Sequence, residues 1–210
     1  LESVIGPGGD NTPQNERTWE YGAHFDTRPF ADEDSNPENL LEPIMGANDG
    51  GSGTAVLLGI AQYLSQHPVA RPVHLVFFDG EDFGSSRSGL NLLGSTNYAQ
   101  SLLKVNRSSW PHWVLVIDMI GDKDLQIFKE THSLKGSGRF LDLIYSIAEK
   151  KEVTSFKPQS KFTIFDDQQN VHKINLDKDI LPILDIIISK PHPSHINFDF
   201  VKNKLNEFEL

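Results

Sequence analysis

The 210-residue chain contains no cysteine. Thiolate metal sites, disulfides and a cysteine nucleophile are therefore excluded. No apolar run reaches membrane-spanning length, which needs about 20 residues. The best, Ile180 to Ile188, is interrupted by Pro182 and Asp185. Positive charge is scarce: 19 Lys and Arg stand against 29 Asp and Glu, a net charge of −10. That sign disfavours nucleic acid or an anionic membrane as partner, since both attract basic surfaces. No internal repeat or low-complexity tract is visible. No signal peptide is visible at Leu1, as would also hold for a mature or trimmed chain. Hydrophobic residues make up 38% and charged residues 23%, the balance of a globular domain. The length suffices for one domain, residues 1–210, with a substantial core.

Leu1 to Trp19 is rich in Gly, Pro, Asn and charge and reads as loop. Trp19 to His24 reads as a short strand. Thr27 to Pro43, acidic and with three prolines, reads as a surface loop. Apolar residues at helical spacing (Ala55, Leu58, Ala61, Tyr63 and Leu64) predict a helix over Gly53 to Ser65. Val73 to Phe78 and Trp113 to Ile120 are apolar runs of the kind found in buried strands. Phe140 to Ala148 reads as an amphipathic helix, and Ile183 to Ile188 as another buried strand. Buried strands alternating with helices predict an α/β fold with a mainly parallel central sheet. In such sheets ligands bind beyond the carboxyl ends of the strands. His24, Asp79 to Asp82, Asp118 and the segment after Ile188 each follow a predicted strand, so they are expected to converge on one edge.

The residue types at that edge suit a metal. Two imidazoles, His24 and His195, and the carboxylates Asp49, Glu81, Asp82 and Asp118 are suitable Zn²⁺ ligands. A carboxylate beside a ligand is what metal-assisted proton transfer needs. Each residue also has an ordinary local reading. His24 could be a strand-end histidine. Asp49, among Gly46, Gly50, Gly51 and Gly53, could cap the following helix. Glu81 and Asp82 could be solvated loop charges. For Asp118, at the end of an otherwise apolar run, the ordinary reading is weak, because a buried carboxylate is costly unless paired or metal-bound. Asp26, two residues after His24, suits a carboxylate that orients a metal-bound imidazole.

These contexts are Gly22-Ala23-His24-Phe25-Asp26, Asn48-Asp49-Gly50-Gly51, Phe77-Phe78-Asp79-Gly80-Glu81-Asp82, Ile117-Asp118-Met119 and Ser194-His195 with Asp199. In order and content they resemble the co-catalytic zinc aminopeptidases and their relatives, the animal-type glutaminyl cyclases, from about Tyr21 to Asp199. The resemblance implies a zinc exopeptidase-like fold: a three-layer sandwich with a mixed, mainly parallel sheet flanked by helices. It implies Zn²⁺, one ion or two, held by Asp49, Asp82 and His195, with His24 and Asp118 completing a second site that shares Asp49. Glu81, Asp118 and Asp166 are the implied catalytic residues, and Asp26 and Asp199 stand behind the ligands. The substrate would be the N-terminus of a peptide or small protein. The resemblance favours a periplasmic or secreted protein.

Several positions depart from the family pattern. Asp82 stands where most aminopeptidases have Glu, as in some bacterial cyclase-like relatives. Ser194 and Ile196 replace a tryptophan and a threonine around His195, and His192 is a rival ligand. Asp166-Asp167 is followed by Gln168 in place of a histidine, a role His172 could fill. The short segment before Gly22 and the short tail suggest a truncated or compact member. Typical aminopeptidases reach a Gly-Ser about four residues after the Asp82 position. Here Phe83 to Leu93 intervene before Gly94-Ser95, as in cyclases. The sequence therefore favours a glutaminyl-peptide cyclotransferase, with a zinc aminopeptidase as the alternative and a catalytically silent zinc-binding module as a third reading.

Overall fold

The computed structural model describes residues 2–5, 17–32, 34–84, 91–163 and 183–186. Their largest sheet has five strands: β1 (Glu2–Ile5), β2 (Trp19–His24), β3 (Val73–Phe78), β4 (Trp113–Ile117) and β7 (Ile183–Ile186), in the spatial order β1-β3-β2-β4-β7. β2, β3, β4 and β7 run parallel, and β1 lies antiparallel on β3. The helices are α1 (Gly51–Gln66), α2 (Leu93–Leu102) and α3 (Thr131–Lys150). A two-stranded parallel sheet pairs β5 (Ile127–Glu130) with β6 (Phe156–Phe162).

Alternation along the strands separates two cores. Val73 and Leu75 of β3 and Trp113, Leu115 and Ile117 of β4 join Leu57 of α1 and Leu141 and Tyr145 of α3. Val76 and Phe78 of β3 and Val114 and Val116 of β4 join Leu102 and Trp110, with Tyr98 of α2 packed alongside. Helices thus cover both faces of the central strands, which explains why β3 and β4 read as continuous apolar runs. This is the expected three-layer α/β sandwich with a mixed, mainly parallel sheet. Among the described residues no helix is long and apolar enough to cross a membrane.

Three expectations need correction. Glu2–Ile5 forms an edge strand where loop was expected. The strand in the second apolar run, Trp113 to Ile120, stops at Ile117, because Met119 takes a left-handed φ of 49° and turns the chain out of the sheet. The helix expected from Phe140 begins at Thr131 and is kinked at Ser137, where φ is −137°. Of the strand expected over Ile183 to Ile188, Ile183–Ile186 is strand as expected, and Ile187 and Ile188 lie outside the described residues.

One glycine fixes how α1 sits on the sheet. A Cβ on Gly53 would lie 2.3 Å from the Ile117 carbonyl oxygen. The first turn of α1 therefore rests directly on the end of β4, which brings the turn carrying Asp49 to the carboxyl edge of the sheet.

Candidate metal centre

The strand order decides who meets whom. β2 lies between β3 and β4, so His24 at its last position has the Glu81-Asp82 loop on one side and Asp118 on the other. His24 is 2% exposed. Its Nε2 is 3.1 Å from both Asp49 Oδ1 and Asp118 Oδ1. Its Nδ1 is held by the Asp26 carbonyl at 3.1 Å, which leaves Nε2 to face the carboxylates. The ligand atoms of His24, Asp49 and Asp118 lie within 4.8 Å of one another, as do those of His24, Glu81 and Asp82.

The ordinary local readings fail at Asp49, Glu81 and Asp82. His24 does end a strand, and it is buried there. Asp49 does not cap α1: Gly50, at φ 79°, occupies the N-cap position without a side-chain cap, and the Asp49 carboxylate turns to His24. Glu81 and Asp82 are not solvated, with side chains 14% and 12% exposed. Asp118 is buried, and its partner is the imidazole.

Polar side chains to which the sequence analysis gave no role brace this edge. Asn48 Oδ1 accepts the Gly121 N–H at 2.6 Å. Ser52 Oγ accepts the Ile120 N–H at 2.9 Å and donates to the Asn48 carbonyl at 2.6 Å. The turn bearing Asp49 is thereby tied to the turn after Asp118. Thr54 Oγ1 donates to the His24 carbonyl at 3.1 Å. The only sequence signal was polar residues beside a helix start and a strand end. Asp26 is nearer to expectation, with a difference. Its carboxylate is 3.6 Å from His24 Nδ1 and accepts the backbone N–H groups of Glu81 at 3.1 Å and Asp82 at 2.9 Å. It aims the acidic loop as well as standing behind the imidazole.

The electrostatics follow from burial among like charges. Burial alone would lower the His24 pKa; hydrogen bonds to Asp118, Asp26 and Asp49 overcome it and hold the imidazole above its ordinary range. Burial also opposes ionisation of Asp26, yet His24 and the two loop amides hold its pKa low. Asp118 is raised by burial, with the His24 bond working against that. Asp82 is pushed up to about 6 by burial and by the Asp49 charge, while Glu81, His24 and Arg28 pull it back part of the way.

The donors fit a divalent ion. Tetrahedral zinc with bonds near 2.0 Å places its ligand atoms about 3.3 Å apart, close to the 3.1 Å separations at His24. Asp82 Oδ2 is buried without a hydrogen-bond partner, a costly state that an ion would relieve. The other sequence candidates, His195, Asp166 and Asp199, with His192, Asp167 and His172, lie outside the described residues.

Residues 6–203 match peptidase family M28. Over 80 residues the chain is 34% identical to aminopeptidase YwaD of Bacillus subtilis (strain 168), covering 38% of this chain and 13% of that protein. The chain thus spans only a small part of that relative's length. Glutaminyl cyclase of Tannerella forsythia superposes with a TM-score of 0.78 at 26% identity, over 98% of this chain and 75% of that one. A Zn-dependent exopeptidase from Parabacteroides distasonis ATCC 8503 does so with a TM-score of 0.78 at 25% identity, over 99% and 75%.

Proposed function

The chain belongs to peptidase family M28, and on that premise we propose that it is a zinc-dependent glutaminyl-peptide cyclotransferase. It would convert the N-terminal glutamine of peptides or small proteins to pyroglutamate with release of ammonia. The observation that carries this reading is the eleven-residue excursion from Phe83 to Leu93. Its ends are zipped together by Leu92 N–H to Glu81 O at 3.0 Å, Leu93 N–H to Gly80 O at 3.0 Å and Gly94 N–H to Asp79 O at 2.8 Å. The described ends of the excursion are therefore held together beside the acidic pair, and its length is the one the sequence analysis associates with cyclases. The cyclase neighbour of similar fold supports the same reading.

Asp49, Asp82 and His195 would hold one zinc, with Asp199 behind His195. When bound, zinc supplies a Lewis acid that polarises the γ-amide carbonyl. The α-amine nitrogen bonds to the carbonyl carbon of the γ-amide (Cδ), and the bond from that carbon to the amide nitrogen breaks. Glu81 takes the proton from the attacking amine and delivers it to the departing ammonia. Asp118 and Asp166 assist that transfer. The carboxylates around His24 also favour a cationic peptide N-terminus.

An aminopeptidase is the second reading, favoured by a specific observation. His24, Asp49 and Asp118 meet within hydrogen-bonding distance, and this is the set a second ion would use, with Asp49 shared. A paired assay separates the two. The cyclase reading expects ammonia from a glutamine-initiated peptide, no leucine from a leucine-initiated amide, and one zinc per chain by elemental analysis. Leucine release with two ions per chain would establish the aminopeptidase instead.

Zinc affinity should also depend on pH. Asp82, with its pKa near 6, carries a proton below that value, and an ion must displace it. Affinity is therefore expected to fall at least about tenfold per unit as pH drops below about 6. Above that value Asp82 adds no further dependence. Chelator competition from about pH 5 to about pH 7.5 checks this, and a flat profile contradicts it.

A further inference from the structure

Among the described residues, Arg28 is a cation beside the centre to which the chemistry above gives no role. Arg28 Nε and Nη2 donate to the two carboxylate oxygens of Asp32 at 2.9 and 2.7 Å. Its Nη1 lies 4.0 Å from Asp82 Oδ1. Asp82 therefore has two unlike oxygens: Oδ1 faces the guanidinium, and Oδ2 is buried with no hydrogen-bond partner.

We propose that Arg28, fixed by Asp32, is a positioning residue that restrains Oδ1 of Asp82 from outside the centre and leaves Oδ2 alone to bind the metal ion. The inference rests on the metal-binding reading above. Three arguments carry it. A planar guanidinium can grip one carboxylate with a bidentate fork and still present N–H groups to another, which a lysine ammonium cannot do in fixed geometry. Asp32 offsets the charge of Arg28, so the guanidinium can stand near a divalent ion with little net repulsion. Aspartate has one methylene fewer than glutamate, so its carboxylate has less freedom to adjust, and its orientation depends on what surrounds it. Holding back one oxygen favours a four-coordinate ion such as zinc. Freeing it allows both oxygens to bind, the habit of larger, higher-coordinate ions.

The test compares the full chain with R28Q, R28K and D32N. Zinc affinity is measured by chelator competition, coordination by the visible absorption of the Co²⁺-substituted protein, and folding by the thermal midpoint of the metal-free protein. R28Q should bind zinc about tenfold more weakly, at the low end of what loss of an outer partner costs. Its cobalt absorption should weaken toward that of a five- or six-coordinate ion, with the metal-free midpoint unchanged. R28K should keep the altered cobalt spectrum, because it restores charge without the fork. D32N, at a half-exposed position, should also weaken zinc by loosening the fork that fixes the guanidinium, and it serves if R28Q does not fold. Wild-type affinity and spectrum in R28Q overturn the proposal. So does weaker zinc binding with an unchanged cobalt spectrum, which would mark a merely structural arginine. No metal bound by any form, wild type included, overturns the metal-binding reading as well; loss of the Arg28 effect alone leaves that reading standing.

Discussion

Glu81→Gln is expected to lower kcat for ammonia release by about 10²–10⁴-fold, the usual worth of general acid–base catalysis, while zinc content stays at the wild-type level. The backbone of Glu81 is engaged on both sides. Its N–H donates to Asp26 Oδ1 at 3.1 Å, and its carbonyl accepts from Leu92 N–H at 3.0 Å. The loop is thus held by main-chain bonds that a glutamine at this position leaves intact. What the substitution removes is a carboxylate that is 14% exposed, with Oε2 4.0 Å from His24 Nδ1. Glutamine fills the same volume and cannot carry the proton. Asp82→Asn should show the reverse order, losing zinc first and turnover as a consequence. Kinetics and elemental analysis on both variants decide the matter. Near-wild-type turnover in Glu81→Gln, or zinc lost together with activity, would contradict the role given to Glu81.

The placement of these adjacent acids was partly legible in the sequence. Parallel strands buried on both faces announce themselves as continuous apolar runs, so β3 was read with its observed bounds. The residue types at the strand ends, His24, Glu81-Asp82 and Asp118, were read as one edge because parallel strands deliver their carboxyl ends to the same side. Shorter or weaker signals were lost. β1 has four residues, too few for a pattern. The first turns of α3, Thr131 to Gly138, hold two Ser and two Gly, which have low helix propensity and blur the apolar period. α2 begins after Leu92 at φ 56° with no side-chain cap, so no start signal marked it. The bracing contacts were out of reach in principle. Asn48 meets Gly121 across 73 residues, and Asp26 meets Glu81 across 55; nothing local in either partner encodes the other. Helix capping by Asp49 could be rejected only once Gly50 was seen in the cap position.

Asp26→Ala should weaken zinc binding by about 10–100-fold, the usual cost of losing an outer partner of metal ligands. One carboxylate holds both N–H groups of the Glu81-Asp82 loop, at 3.1 and 2.9 Å, and stands 3.6 Å from His24 Nδ1. Alanine leaves two half-buried amides without their acceptor, and each must find water or move. On the proposed roles the loop carries both the ligand Asp82 and the base Glu81, so its displacement should lower affinity and turnover alike. This differs from Glu81→Gln, where only turnover falls. The His24 contact through the Asp26 carbonyl survives the substitution, because it belongs to the main chain. The imidazole should therefore keep its orientation, and the loss should come from the Asp82 side. Asp26→Asn should be intermediate: its side-chain oxygen can accept one amide, while its NH₂ faces the other unfavourably. Chelator competition across the three proteins reads this ranking. Equal zinc affinity in Asp26→Ala and wild type would show that the loop holds its shape through the Leu92 to Gly94 bonds alone, and the role assigned to Asp26 would fall.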